Sequence, residues 1–440
     1  MATPWRRRGH HFVSPYNFAS EVTRGFHRLP GRRVEVFDST IRKTHLVPGG
    51  KLTPRDQVRV AEMLAEAGVA GTFFNVFYDR ARLKADPKAQ EIQRGARAVS
   101  REVKGLKKIA CLYAFPKGFE GKEACELALE AGADVLEPGI PASDLERAAD
   151  VPGTSRRQLI EGMLRSIEYC KSLGVPVACN FTDVGRSDPE HLLEGIQGSI
   201  EAGASEIRLT DSYGSLSPDG ARYLARLVRQ SLRRPVPVMI HIHNDYGLAT
   251  AATVAAALEG CNVDVTVNGL GDKGGFAALE EVVLSLELQY GARTGVRLGK
   301  LYALSNLVEQ LTGIRRAPIK AVVGSDIFHV EADAAVARLL RREVSLDDPG
   351  ARVVTRTYDP ALVGRARTIV WGRTTLAGQA LREKIRQMGL RASDAQIARI
   401  ASAIRRRLDA KRRYPVWLEE REVETICRRV AGRRRQRPSR

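Results

Sequence analysis

Apolar and polar positions along this chain alternate between two rhythms. Short apolar runs such as Val236-Pro237-Val238-Met239-Ile240 have the length and composition of strands buried on both faces. Between them lie longer stretches with apolar residues three and four apart, the period of a helix that buries one side. Strands are expected at 33–37, 72–77, 108–113, 134–138, 175–181, 206–209, 236–240 and 263–267. Helices are expected at 53–67, 88–103, 121–131, 155–173, 188–202, 218–232, 247–258 and 277–288. The boundary residues agree: Thr53 with Asp56 forms an N-terminal cap, and Gly68 and Gly132 close helices. Eight strand–helix alternations predict an α/β fold with a parallel sheet. The number fits a closed (β/α)8 TIM barrel better than an open sheet.

Past about residue 300 the alternation fails. Helical periods at 301–311, 331–342, 377–388 and 393–408 surround a short apolar run, Ile369-Val370-Trp371. The expected organisation is a basic leader at 1–32, a barrel at 33–295, a smaller helical post-barrel region at 296–410 and an Arg-rich tail at 411–440.

Composition narrows the class further. Hydrophobic content of 43% and charged content of 28% over 440 residues suit a water-soluble globular chain. No apolar run reaches the length of a membrane span, and the leader lacks the apolar core of a secretion signal. Six scattered cysteines without a CxxC pair read as buried thiols in a reducing cytoplasm, the expected location. The net charge of +19 is unevenly placed: residues 401–440 carry fourteen Arg and Lys against five Asp and Glu, and Arg6-Arg7-Arg8 adds to the other end. Such blocks are usually solvated tails, so nucleic acid is not the expected partner.

In a TIM barrel the reacting groups sit at the C-terminal ends of the strands. Here those ends read Thr40-Ile41-Arg42-Lys43, Asp183, Asp211, His241-Ile242-His243-Asn244 and Asn268-Gly269. Strand geometry puts His241 and His243 on one face. Two such imidazoles are either legs for a divalent metal or a hydrogen-bonded pair in a polar cavity. The Arg42 guanidinium can grip a carboxylate through two hydrogen bonds or close a salt bridge at the rim. Thr40, Asp211, Asn244 and Asn268 are candidate substrate-binding and orienting groups. The glycine loop at 269–275 either offers amides to an anion or simply turns the chain.

These motifs together resemble a known family. Asp38-Ser39-Thr40-Ile41-Arg42, Asp183-Val184-Gly185-Arg186-Ser187-Asp188-Pro189, Thr210-Asp211-Ser212-Tyr213-Gly214, His241-Ile242-His243-Asn244-Asp245 and Thr266-Val267-Asn268-Gly269-Leu270-Gly271-Asp272-Lys273 look like those of the metal-dependent Claisen synthases and lyases. That family holds the isopropylmalate, homocitrate and Re-type citrate synthases, with hydroxymethylglutaryl-CoA lyase more distant. The resemblance runs from about residue 34 to residue 408. It implies a barrel enzyme that joins an acyl-CoA to a small 2-oxo acid, working as a homodimer. It further implies carboxylate binding by Arg42, a divalent metal on His241 and His243, and a catalytic role for Glu331.

The chain departs from that pattern at four positions. Lys43 stands where the family has an aspartate metal ligand, Phe73 where it has a catalytic glutamate, Phe276 where it has an asparagine, and Ala335 where it has a catalytic histidine. An aspartate plus a divalent ion carries about the same charge as one lysine ammonium, so Lys43 could replace the metal–aspartate unit and stabilise an enolate directly. Adjacent Arg42, with Phe73, Phe74 and Phe276, would favour a neutral amine instead, the nucleophile of a Schiff-base aldolase or lyase. A non-catalytic homologue that binds or regulates is the third reading. In the simplest structural alternative, Lys43 only pairs with Asp38, Asp183 or Asp211.

Overall fold

Eight parallel strands close into a barrel in chain order: β1 (Val36–Asp38), β2 (Gly71–Phe74), β3 (Lys107–Tyr113), β4 (Val135–Pro141), β5 (Ala178–Thr182), β6 (Glu206–Asp211), β7 (Val238–Ile242) and β8 (Asn262–Val265). Pairing of Val36 with Val263 and of Asp38 with Val265 seals the cylinder. The computed structural model describes residues 11, 14, 17, 31–74, 79–113, 121–341 and 357–431. The runs Arg6-Arg7-Arg8 and Arg433-Arg434-Arg435, and the far end of the strand expected at 72–77, lie outside the described residues.

Alternation along each strand fills the interior. Phe37, Phe73, Ile109, Val135, Ala178 and Met239 pack together as its apolar floor. Two residues further along, the same inward face turns polar: Ser39 follows Phe37, Glu137 follows Val135, Asn180 follows Ala178 and His241 follows Met239. The apolar floor is thus overlaid by polar and ionisable groups, all beneath the end at which barrel chemistry occurs.

The helices follow the caps anticipated from the sequence. Thr53 and Asp56 form a reciprocal capping box at the start of the helix Pro54–Ala67, and Gly68 ends it at φ +85°, a conformation that favours glycine. Three short helices, Thr40–Thr44, Arg80–Ala85 and Asp144–Asp150, were not anticipated. One or two turns hold too few apolar positions for a period to register. The helix Leu301–Thr312 also belongs to the barrel rather than to the region after it. Asn268 Nδ2 donates to the Ser305 carbonyl at 3.1 Å, and Lys300 pairs with Glu66 at 2.9 Å. The division between the two units of the chain therefore falls near residues 318–324, not at 295.

The second unit holds the helices Asp333–Arg341, Gln379–Gln387, Asp394–Ala410 and Glu420–Ala431, with a two-stranded ladder of His329–Val330 beside Thr368–Ile369. Its core gathers Val336, Trp371, Leu381, Ile400, Ile404 and Leu408 with Val423, Ile426 and Cys427. The last three lie on Glu420–Ala431, inside the stretch expected to be an Arg-rich tail. Their spacing of three and four residues makes one apolar face, which the high arginine content around it conceals.

Candidate active site

The upper end of the barrel is set by a short helix after β1 and by the loop after β8. The hydroxyl of Ser39 donates to Asp264 on β8 at 2.8 Å, and its amide to Val265. Thr40 donates its amide and its hydroxyl to the two Asp38 oxygens, each at 2.8 Å, and accepts the Val267 amide. Burial, opposed by those Thr40 bonds, raises the Asp38 carboxyl to about 7. These contacts fix the turn Thr40–Thr44, which carries Arg42 and Lys43.

Lys43 is only 5% exposed. Its Nζ lies 4.1 Å from the centroid of the Phe276 ring and 3.8 Å from Asp272. The same ring lies 4.5 Å from the His241 imidazole and 4.0 Å from that of His243, whose centroids are 5.6 Å apart. Lysine and both histidines therefore converge on one phenyl ring. The loop is shaped to deliver it: the Phe276 amide donates to Gly269 at 3.0 Å, and Gly275 adopts φ +83°. A Cβ at Gly271 would lie 1.9 Å from the ring, so only glycine leaves it room. The loop amides of Gly269 and Gly275 bond to Thr266 and Asp272, so the glycines serve the turn.

Beneath this group lies a buried ionic network. Arg208 joins Glu137 at 2.8 Å and also joins Asp264, which lies 2.8 Å from His241 Nδ1. Burial works against the Asp264 charge, but Arg208 and His241 outweigh it and hold the carboxyl down at about 2. Burial raises Glu137 against the pull of Arg208 and Arg42. Burial, then the charge of Arg42, pushes the Lys43 ammonium well below the usual lysine range. Burial likewise lowers His241, to about 3, and lowers His243 with help from Lys43.

The remaining expected site residues are placed as follows. The Arg42 Nε is buried without a hydrogen-bond partner among the described residues. Lys43 pairs with none of the three aspartates considered for it. Asp38 holds Thr40, Asp183 pairs with Arg186 at 2.8 Å, and Asp211 accepts from Ser215 and the Leu216 amide at 3.0 and 2.8 Å. Asn244 accepts the Ala249 amide at 3.0 Å, and Asn268 is tied to Ser305. Thr40, Asp211, Asn244 and Asn268 thus have hydrogen bonds within the scaffold. Glu331 belongs to the second unit, where it accepts from the amide and hydroxyl of Thr374 at 3.1 and 3.0 Å.

Sequence reasoning missed Arg208, Glu137, Asp264, Asp272 and Lys273. The first three carried a signal, because a charge at mid-strand on the inward face of a barrel must find an opposite charge. Asp272 and Lys273 gave none beyond lying in a glycine-rich turn.

The protonation pattern makes a testable statement about stability. Unfolded His241 takes a proton below about pH 6.5, whereas the folded imidazole resists until about 3. Its contribution to stability is therefore lost as pH falls through that window. Relative to a His241→Asn variant, the wild type should lose about 1.4 kcal/mol of unfolding free energy per pH unit between about pH 6 and 4.5. Urea titrations across that range measure it, and parallel curves would refute the buried neutral imidazole.

A closed barrel of eight parallel strands with ionisable groups at its C-terminal end is a TIM barrel. The profile described as HMGL-like matches residues 33–308, and the chain belongs to that family. It is 30% identical to the (R)-citramalate synthase of Methanocaldococcus jannaschii, over 91% of this chain and 75% of that protein. It is also 30% identical to the 2-isopropylmalate synthase of the same organism, over 91% of this chain and 72% of that one. Among solved structures, hydroxymethylglutaryl-CoA lyase from Pseudomonas aeruginosa superposes with a TM-score of 0.56 at 21% identity. It covers 66% of this chain and 96% of its own, a likeness of fold. Among the described residues no helix is long and apolar enough to cross a membrane.

Proposed function

We propose that this chain makes or breaks a carbon–carbon bond beside the carbonyl of a small 2-oxo acid, of the acyl-CoA plus 2-oxo acid kind. Arg42 binds the substrate carboxylate, and Lys43 activates the adjacent carbonyl. The observation that carries the reading is the convergence of the buried Lys43 with His241 and His243 on Phe276 at the barrel's chemical end. Support also comes from relatives that are named citramalate and isopropylmalate synthases. A fixed cation aimed at a developing enolate oxygen lowers the barrier without reorganisation at the moment of reaction.

A second reading is favoured by the depressed basicity of the Lys43 ammonium. A neutral amine would add to the C2 carbonyl, lose water to give an iminium, and so cleave or form the bond as an aldolase does. One panel separates the two. Thiol release that requires both an acyl-CoA and a 2-oxo acid supports condensation. Aldol cleavage, with borohydride fixing a 2-oxo acid to Lys43, supports the amine. Neither activity with any 2-oxo acid would refute both.

A further inference from the structure

We infer that the two-histidine site of this barrel has become closed to a divalent ion, with Phe276 packed against both imidazoles and Lys43, rather than a carboxylate, beside them. The inference deepens the proposed function and rests on it only for the role given to Lys43.

Three independent features of the site support it. The first is volume. An ion held by both imidazoles must sit between them within about 2.1 Å of a nitrogen of each. Phe276 packs against both, with its centroid 4.5 Å from the His241 ring and 4.0 Å from the His243 ring. The absence of a Cβ at Gly271 leaves room for the phenyl there, and the Phe276 backbone amide is tied to the Gly269 carbonyl.

The second is the disposition of lone pairs. A neutral imidazole has one nitrogen that donates and one that accepts, and only the acceptor can ligate. Lys273 Nζ, which can only donate, lies 3.4 Å from His243 Nδ1. Nδ1 is therefore the acceptor, which places the proton on Nε2 and leaves that nitrogen without a lone pair. At His241 the Asp264 carboxylate lies 2.8 Å from Nδ1 and favours a proton there, so Nε2 keeps its lone pair. One histidine of the two thus offers a ligating atom away from its present partner, where a two-legged site needs both.

The third is charge. Lys43, buried against the same phenyl ring, offers no negative charge to offset a divalent cation in either protonation state, and Lys273 Nζ lies beside His243. Asp272 is near Lys43 at 3.8 Å, so the carboxylate closest to the lysine already has a cation. Among the described residues no group of three or more histidines, cysteines, aspartates or glutamates is arranged to hold a metal. Together these contacts leave Lys43, fixed by packing, as the group at the centre that would meet the substrate carbonyl.

The test uses the full-length wild type, dialysed without chelator and analysed for metal by mass spectrometry. Isothermal titrations with Mn2+, Zn2+ and Mg2+ follow, on the wild type and on His241→Ala and His243→Ala. Well under one ion per chain, with no binding heat, is expected, and so is any weak binding that both variants retain unchanged. A stoichiometric ion that either variant loses would overturn the inference. Because the readout is metal content, a chain inactive toward every 2-oxo acid would refute the proposed function without touching this result, and an ion on His241 and His243 would do the reverse.

Discussion

Replacing Lys43 by methionine is expected to lower kcat/KM by about 10²–10³-fold, the usual consequence of removing one preorganised group that stabilises developing negative charge. Stability should hold or rise, because the variant removes a buried ammonium already disfavoured by burial and by Arg42. Methionine keeps the length of the stem and the packing on Phe276. The combination matters: lost turnover with a raised melting temperature marks a residue held for chemistry at the expense of the fold. A variant within roughly threefold of wild-type activity, well short of that loss, would remove Lys43 from the mechanism. A variant that lost activity and stability together would make it structural.

The largest stability effect is expected one layer down, at Arg208. This side chain is 1% exposed and joins two buried carboxylates, Glu137 and Asp264. Its guanidinium also lies over the Phe73 ring at 4.1 Å, where a catalytic carboxylate was expected by resemblance. Arg208→Met leaves both acids without their cation, and breaking such a pair costs about 3–5 kcal/mol. Protonation of Glu137, whose pKa burial already raises, should keep the loss toward the lower end. A triple variant that adds Glu137→Gln and Asp264→Asn should recover much of the stability, since no charge then remains unpaired. Urea midpoints measure both effects. A loss for the single variant below about 1 kcal/mol would show that water reaches these groups.

How far the sequence could be read follows from which residues answer to local rules. Caps such as Thr53 with Asp56, and apolar strands such as Val238–Ile242, are decided within a few residues, so the barrel was visible from periodicity alone. The helix Glu420–Ala431 obeyed the same period, yet its arginines suggested a solvated tail. The pairing of His241 with His243 was visible because a strand fixes which face each residue presents. Their environment was not, because it depends on contacts between distant strands and loops. Asp264 reaches His241 only when β8 lies beside β7, and Phe276 reaches both imidazoles only when its loop folds back over β7. Asp211 and Asn268 look like substrate contacts in a motif, but their hydrogen bonds run to Ser215 and Ser305. The departures at Lys43 and Phe276 were legible one by one. The nearness of Phe276 to Lys43 was expected as well, whereas the packing of the same ring against both imidazoles came only from the fold.

Thiol release from an acyl-CoA in the presence of 2-oxo acids, measured in a strong chelator, tests the central claim most directly. A centre built on Lys43 predicts turnover that chelator leaves unchanged and added divalent ions do not raise. Turnover that chelator abolishes and a divalent ion restores would contradict it.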